Sequence, residues 1–277
     1  MKTPQELKRE LNTIYQLQEI TQAFEQSAAS YIFKMRKKIL AARPFFEQAW
    51  KTYNIIKFLT LPKEKGLSKR LVLVITPNQG LYGTLLIQVS EKVNAIKKEK
   101  HSGDLAVIGG KGKQIFSAQK NRVKKFFDLK DDFSYEDLLP IAKVINEYTD
   151  ISLIYPKYKS AFVQEVSIAE ISSVKKPESH QEVIENFKRY TLDPDLISLN
   201  QFFDQTFLAM MLFRYCTEAL LAYKAAQMIA MKRAYDNSSE QLEIARFIYY
   251  RSIRNLVDGQ IREISAARTI WEEAFNG

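Results

Sequence analysis

Apolar and small residues recur at steps of three and four from Leu7, Leu11, Ile14 and Leu17 through Thr21, Phe24 and Ala28 to Tyr31, Met35, Ile39 and Phe46. That spacing marks one face of an α-helix. Thr3 is placed to cap it, Pro4 suits the first helical position, and Glu6 completes a T-x-x-E capping box. The small residues Ala23, Ala28, Ala29 and Ser30 allow a partner helix to come close. Pro44 is expected to kink or weaken one turn, after which the pattern resumes from Trp50 to Leu59. A helix over residues 1–60 would be a rod of about 80 Å, long enough to imply a coiled coil. At the other end no proline occurs from Leu199 onward, and Leu242, Ala245, Tyr249, Ile253, Leu256, Ile264 and Trp271 continue the same periodicity. If continuous, that helix runs about 115 Å. Gly259 costs it about 1 kcal/mol relative to Ala, and Asp236-Asn237-Ser238-Ser239 is the expected weak point.

The middle of the chain changes period. Leu61–Ser68, with Pro62 and Gly66, reads as a linker. LVLVIT (71–76) reads as a strand buried on both faces, and DLAVIGG (104–110) as a second strand. ISLIYPKY (151–158) and AFVQEVSI (161–168) follow as two more. Helices are expected over 84–100, from GKGKQIFSAQ onward, and over 134–148 with a kink at Pro140. Residues 169–200 give no clear pattern. Strands alternating with helices predict a mainly parallel sheet with helices on both faces. Neither long terminal helix can bury its stripe alone. They are therefore expected to pack antiparallel as a coiled coil, with the α/β unit inserted between them. The divisions are 1–60, 61–198 and 199–277.

Composition narrows the function. Hydrophobic residues make up 46% of the 277-residue chain, enough for a core. The net charge is +9, and residues 1–60 hold ten Lys/Arg against five Asp/Glu. A basic stripe at Lys34, Arg36, Lys37 and Lys38 could meet nucleic acid, an anionic membrane or acidic protein loops. No helix-turn-helix, zinc finger or aromatic RNA-binding signature accompanies it, so nucleic acid is not expected as a partner. No apolar run is long enough to span a bilayer, and the N-terminus lacks a signal-peptide core.

Catalytic chemistry is scarce. Cys216 stands alone in an apolar stretch and reads as a buried, inert thiol. His101 and His180 lie in polar surroundings without metal-ligand spacing. Asp131-Asp132 and Glu272-Glu273 read as exposed acidic pairs. Gly80 and Gly83, then Gly109, Gly110 and Gly112, follow predicted strands, but neither group has G-x-G-x-x-G or Walker A spacing. Tight turns are the better reading. No catalytic residue, metal or cofactor is assigned, which shifts weight toward a structural or mechanical role.

Several segments resemble the gamma subunit of F-type ATP synthases. ITQAFEQSAAS (20–30) and ARPFFE (42–47) are similar to that family's I-T-x-A-M-x-x-V-A-A-S and S-R-P-Y-x-E. AAQMIAMKRAYDN (225–237) is similar to A-A-R-M-x-A-M-x-x-A-T-D-N and is the most specific match. TPNQGLYG (76–83) and VIGGKG (107–112) resemble T-S-D-R-G-L-C-G and I-G-x-K-G. The resemblance implies an antiparallel coiled coil with an inserted Rossmann-like α/β domain. It implies torque transmission by a rotor shaft without an active site of its own. The implied partners are a hexamer of alpha and beta subunits, with the epsilon subunit and a membrane rotor ring at the base. The implied place is the cytoplasmic face of a bacterial plasma membrane, peripherally bound. Thr21, Lys34, Arg36, Met231, Asn237, Arg254, Asp258, Gln260 and Glu263 are the implied partner contacts.

There are departures from the family pattern. Glu19 stands where the family has Lys, and Phe24 where it has Met. The family's R-Q-A-x-I-T-x-E-L-x-E-I is altered over Ile253–Ile264. Ala209 replaces a glutamate in the foot segment Phe207–Phe213, and Ala222-Tyr223 replaces Ser-Glu. The chain therefore reads as a divergent gamma subunit or a gamma-like paralogue. The foot segment is open to two readings, a changed base contact or plain core. The alternative function is a coiled-coil adaptor not coupled to a proton-conducting ring.

Overall fold

The computed structural model describes residues 2–60, 69–99, 103–118, 123–171 and 196–276. The expected linker 61–68, both histidines and most of the unassigned stretch 169–200 lie outside them. The chain divides into two compact units, one of Met1–Ser27 with Ile229–Gly277 and one of Ala28–Met228.

The first unit contains the start of α1 (Pro4–Thr60) and most of α5 (Leu196–Asn276). The capping box forms as read. The Thr3 amide donates to Glu6 Oε2 at 2.8 Å, and the Glu6 amide donates to Thr3 Oγ1 at 3.3 Å. The two helices run antiparallel here. Arg246 sits 5.0 Å over the Tyr15 ring, while Gln18, further along α1, donates to Ser239 Oγ at 2.8 Å. Leu7, Thr21, Met231, Ser238 and Leu242 are buried in this unit. The expected weak point at 236–239 does not interrupt α5. Ser238 and Ser239 return their hydroxyls to the Tyr235 carbonyl, and Lys232 pairs with Asp236 at 3.0 Å. These local bonds compete for backbone in loops but are also compatible with a helix turn. Past Leu256 the apolar stripe is uncovered: Ile261, Ile264, Ile270, Trp271 and Phe275 are all exposed.

The second unit is built on a five-stranded sheet in the order β3-β2-β1-β4-β5. The strands are β1 (Arg70–Ile75), β2 (Asp104–Ile108), β3 (Val123–Phe127), β4 (Asp150–Tyr158) and β5 (Gln164–Glu170). The first four are parallel, and β5 turns back antiparallel on β4 because no helix separates them. Alternation in β1 sorts side chains to two faces. Val72 and Val74 meet Val89, Val93 and Ile96 of α2 (Leu85–Glu99) and Phe116 of α3 (Gly110–Ala118). Leu71, Leu73 and Ile75 join α4 (Leu139–Ile145) and the stretches of α1 and α5 that belong to this unit. Helices thus cover both faces.

The structure adds one strand and places Pro140 differently from the sequence reading. Residues 123–127 form a strand that alternation did not reveal, because VKKFF carries two lysines and is only partly buried at the sheet edge. Charged edge strands resist pairing with other chains, so the same lysines that hide the signal protect the edge. Pro140 does not kink a helix. It sits in the first turn of α4, after a short 3-10 turn over Glu136–Leu138. A missing N–H costs nothing at that position.

Within this unit the helix pair is also antiparallel. Arg43 pairs with Glu218, Glu47 with Arg214, and Tyr53 stacks on Phe207. Each step up α1 is matched by a similar step down α5. Of the small residues read on α1, Ala28 is fully buried, Ala29 is half-buried, and Ala23 and Ser30 are exposed; Ala219, Ala222 and Ala225 of α5 are fully buried as well. α1 continues through Pro44, which lies on an exposed face.

The burial contrast makes a prediction for the isolated protein. Phe116→Ala is expected to cost about 3–5 kcal/mol, whereas Ile264→Ala stays within about 0.5 kcal/mol. Urea unfolding followed by circular dichroism measures both.

Candidate functional site

In open α/β sheets, ligands sit at the carboxyl ends of the strands where strand order reverses. Here that point lies between β1 and β4. The residues gathered there do not leave a ligand crevice. The first N–H groups of α3, which would face a phosphate, are engaged by the chain itself. Gly110 N donates to Asn78 Oδ1 at 2.9 Å, Lys111 N to the Pro77 carbonyl at 3.0 Å, and Gly112 N to Thr76 Oγ1 at 3.1 Å. Gly109 has φ +102°, and a Cβ there would lie 2.0 Å from the Thr76 carbonyl oxygen. A Cβ on Gly112 would lie 2.4 Å from Thr76 Oγ1. The glycines admit Thr76, and the tight-turn reading accounts for them.

The helices narrow the remaining space to a hollow of about 30 Å³ beside Ile75, Thr76, Asn78 and Tyr223, too small for a nucleotide. Tyr223 of α5 donates its hydroxyl to the Ile75 carbonyl, at the end of β1, over 3.0 Å. Its ring packs on Tyr82 with centroids 5.2 Å apart. Burial pushes the Tyr223 phenol upward, so it stays a donor at any ordinary pH. Arg43 of α1 places Nη2 2.6 Å from Glu218 Oε1 and 2.7 Å from the Tyr158 carbonyl, at the end of β4. The Glu218 side chain is only 1% exposed. Tyr158 is buried against Leu221, Ala222 and Ala225.

A polar cluster stands beside this contact. Asn78 Nδ2 donates to the Leu129 carbonyl and to Asp131 Oδ1, the latter at 3.0 Å. Lys224 reaches Asp131 at 3.9 Å. Burial, and then the Asp131 charge, push the phenols of Tyr31 and Tyr82 up to about 12. Burial likewise pushes Cys216 up to about 12, so its thiol is not a nucleophile near neutrality.

The nine residues read as partner contacts fall into two groups. Thr21 and Met231 are buried in the first unit, and Thr21 donates to the Gln18 carbonyl at 2.9 Å. Lys34, Arg36, Asn237, Arg254, Asp258, Gln260 and Glu263 are exposed. Lys34 and Arg36 share their stretch of α1 with Lys37, Lys38 and Phe33, which is 88% exposed. No acidic residue occurs between Glu25 and Glu47. Phe207, Leu208, Ala209, Met211 and Leu212 are buried against the sheet. The foot segment is core.

Sequence reasoning missed Arg43, Glu218 and Tyr223 as a set. Glu218 carried a signal: it is the single acidic residue between Asp204 and Asp236, in an apolar run. Buried acids are almost always paired. The partner on α1 could not be named without the fold.

A family model described as ATP synthase matches residues 3–268. The ATP synthase gamma chain of Roseiflexus castenholzii is 24% identical over 292 residues, covering 99% of this chain and 100% of its own. That of Halothermothrix orenii is 26% identical over 282 residues, covering 95% and 97%. Among solved structures, the rotor of the Euglena gracilis mitochondrial ATP synthase superimposes with a TM-score of 0.64 at 12% identity, covering 92% of this chain and 98% of that one. The central stalk of the Tetrahymena thermophila mitochondrial enzyme gives 0.61 at 18% identity, covering 78% and 99%. At these identities the structures speak for the fold.

Two outcomes are expected at this site. Gly109→Ala should destabilise the protein by about 3 kcal/mol, from backbone strain and collision with Thr76; urea unfolding reads it. Cys216 should resist iodoacetamide in native protein at pH 8 and react once urea is added.

Proposed function

Because this chain belongs to the ATP synthase family, we propose that it works as a gamma-type central-stalk subunit, a rotor shaft carrying torque between an alpha/beta hexamer and the base of the complex. The observation that carries this reading is the filled switch point. The one place where this sheet would hold a ligand holds the chain's own helices instead. Such a chain is suited to passing force and unsuited to chemistry of its own, so ATP turnover falls to its partners. Residues 61–198 act as the inserted domain between helices 1–60 and 199–277.

The exposed basic face at Lys34, Arg36, Lys37 and Lys38 faces acidic loops of the hexamer, attracted over roughly a Debye length of about 8 Å at physiological salt. The uncovered stripe past Leu256 gives the end of α5 an apolar surface for the same hexamer, with Arg254, Asp258, Gln260 and Glu263 at its polar margin. Asn237 is a further exposed contact. Thr21 and Met231 act from inside the helix pair, by holding it together. No described helix is long and apolar enough to cross a membrane. As a central-stalk subunit it is held peripherally, through its partners, at the cytoplasmic face of a bacterial plasma membrane. The epsilon subunit and the rotor ring are its partners at the base.

The test is reconstitution. The pure chain should hydrolyse no ATP above background, and should assemble with alpha and beta subunits into an active ATPase. Robust hydrolysis by the chain alone would overturn the reading. Reversing Lys34, Lys37 and Lys38 to Glu should weaken assembly about tenfold or more at low salt and less at high salt, since rim charges are screened.

A further inference from the structure

We infer that Arg43, Glu218 and Tyr223 form the joint that passes rotation from the helix pair to the sheet domain. The inference rests on the rotor reading and goes beyond it by assigning the force path to named side chains.

Most contact between helices and sheet in this unit is apolar. Apolar contact is non-directional. Hydrogen bonds fix direction, and those involving a charged group are the stronger ones. Hydrogen bonds run from the helix pair to two central strands, one neutral and one from a charged donor. Tyr223 holds the carbonyl of Ile75 at the end of β1, and Arg43 holds the carbonyl of Tyr158 at the end of β4. β1 and β4 are neighbours in the sheet. One anchor would permit pivoting about itself. Two anchors on adjacent strands oppose it. Arg43 also holds Glu218, so a single nitrogen joins α1, α5 and β4. The helix pair then cannot turn against the sheet without breaking the Arg43–Tyr158 or the Tyr223–Ile75 hydrogen bond, and the Arg43–Glu218 pair keeps the two helices moving together. These three are positioning residues; none touches a substrate.

The experiment uses the complete complex in vesicles and measures protons pumped per ATP hydrolysed. Arg43→Met and Glu218→Gln are expected to lower that ratio by about threefold or more while hydrolysis stays within about twofold, since the first leaves the buried Glu218 unpaired and removes the bond to β4, and the second loosens Arg43 from α5. Tyr223→Phe, which keeps the ring and removes only the bond, should lower it by about 1.5-fold or more. Arg43→Lys should restore at least half of the native ratio. A purely structural role predicts another result: hydrolysis, assembly and pumping fall together, and Lys gives no selective rescue. That result, or an unchanged ratio in assembled variants, would overturn the joint. If Arg43→Met does not assemble, Tyr223→Phe decides by the same ratio. If the native chain itself fails to assemble with alpha and beta subunits, the rotor reading falls, and the joint with it.

Discussion

Glu218 has 1% of its side chain exposed and lies in an apolar run of α5. A carboxylate in that position must be paired, because removing one partner of a buried ion pair costs about 3–5 kcal/mol. Arg43 supplies the pair from α1 and sets the axial register of the two helices in the second unit. The other cross-pairs follow from that register. Glu47 meets Arg214 one turn up α1 and one turn down α5, and Tyr53 reaches Phe207 two turns further on. Ala219, Ala222 and Ala225 lie on the buried side of α5, where larger residues would hold the helices apart. The alanines make the close packing feasible, and the ion pair gives it direction.

The same contact explains how a sheet of nucleotide-binding appearance comes to lack a crevice. Its carboxyl ends meet Tyr223 and Arg43 rather than a ligand, and the leading amides of α3 are taken by Thr76, Pro77 and Asn78. The Ala222-Tyr223 departure from the family pattern has a structural outcome here. Ala222 packs fully buried beside Tyr158, and Tyr223 brings its hydroxyl to β1. The departure at Ala209 is likewise part of a buried apolar surface.

Much of this was legible beforehand, for identifiable reasons. The steps of three and four in the terminal stretches, the T-x-x-E box and the shortage of proline are local signals, and helices are local structures. LVLVIT and DLAVI announce buried parallel strands because both their faces are covered. VKKFF did not announce itself, since an edge strand with one side open needs no apolar alternation. Pro140 was misread because a proline in a helical pattern marks either a kink or a start, and only the neighbouring 3-10 turn decides between them. Thr21 and Met231 were read as contacts from motif position alone, which carries no information on which side of a helix pair a residue faces.

The sequence by itself determined the two long helices, the class of the inserted sheet, the inert cysteine and the family. Each rests on periodicity, composition or a contiguous motif, all of which are properties of the chain taken in order. The tertiary structure alone decided that Glu218 belongs with Arg43, that Tyr223 closes on Ile75, and that the glycine turns receive a threonine in place of a phosphate. Those pairings join residues 33 to 175 positions apart. They exist only once close packing has excluded water and left the buried polar groups to find their partners within the protein.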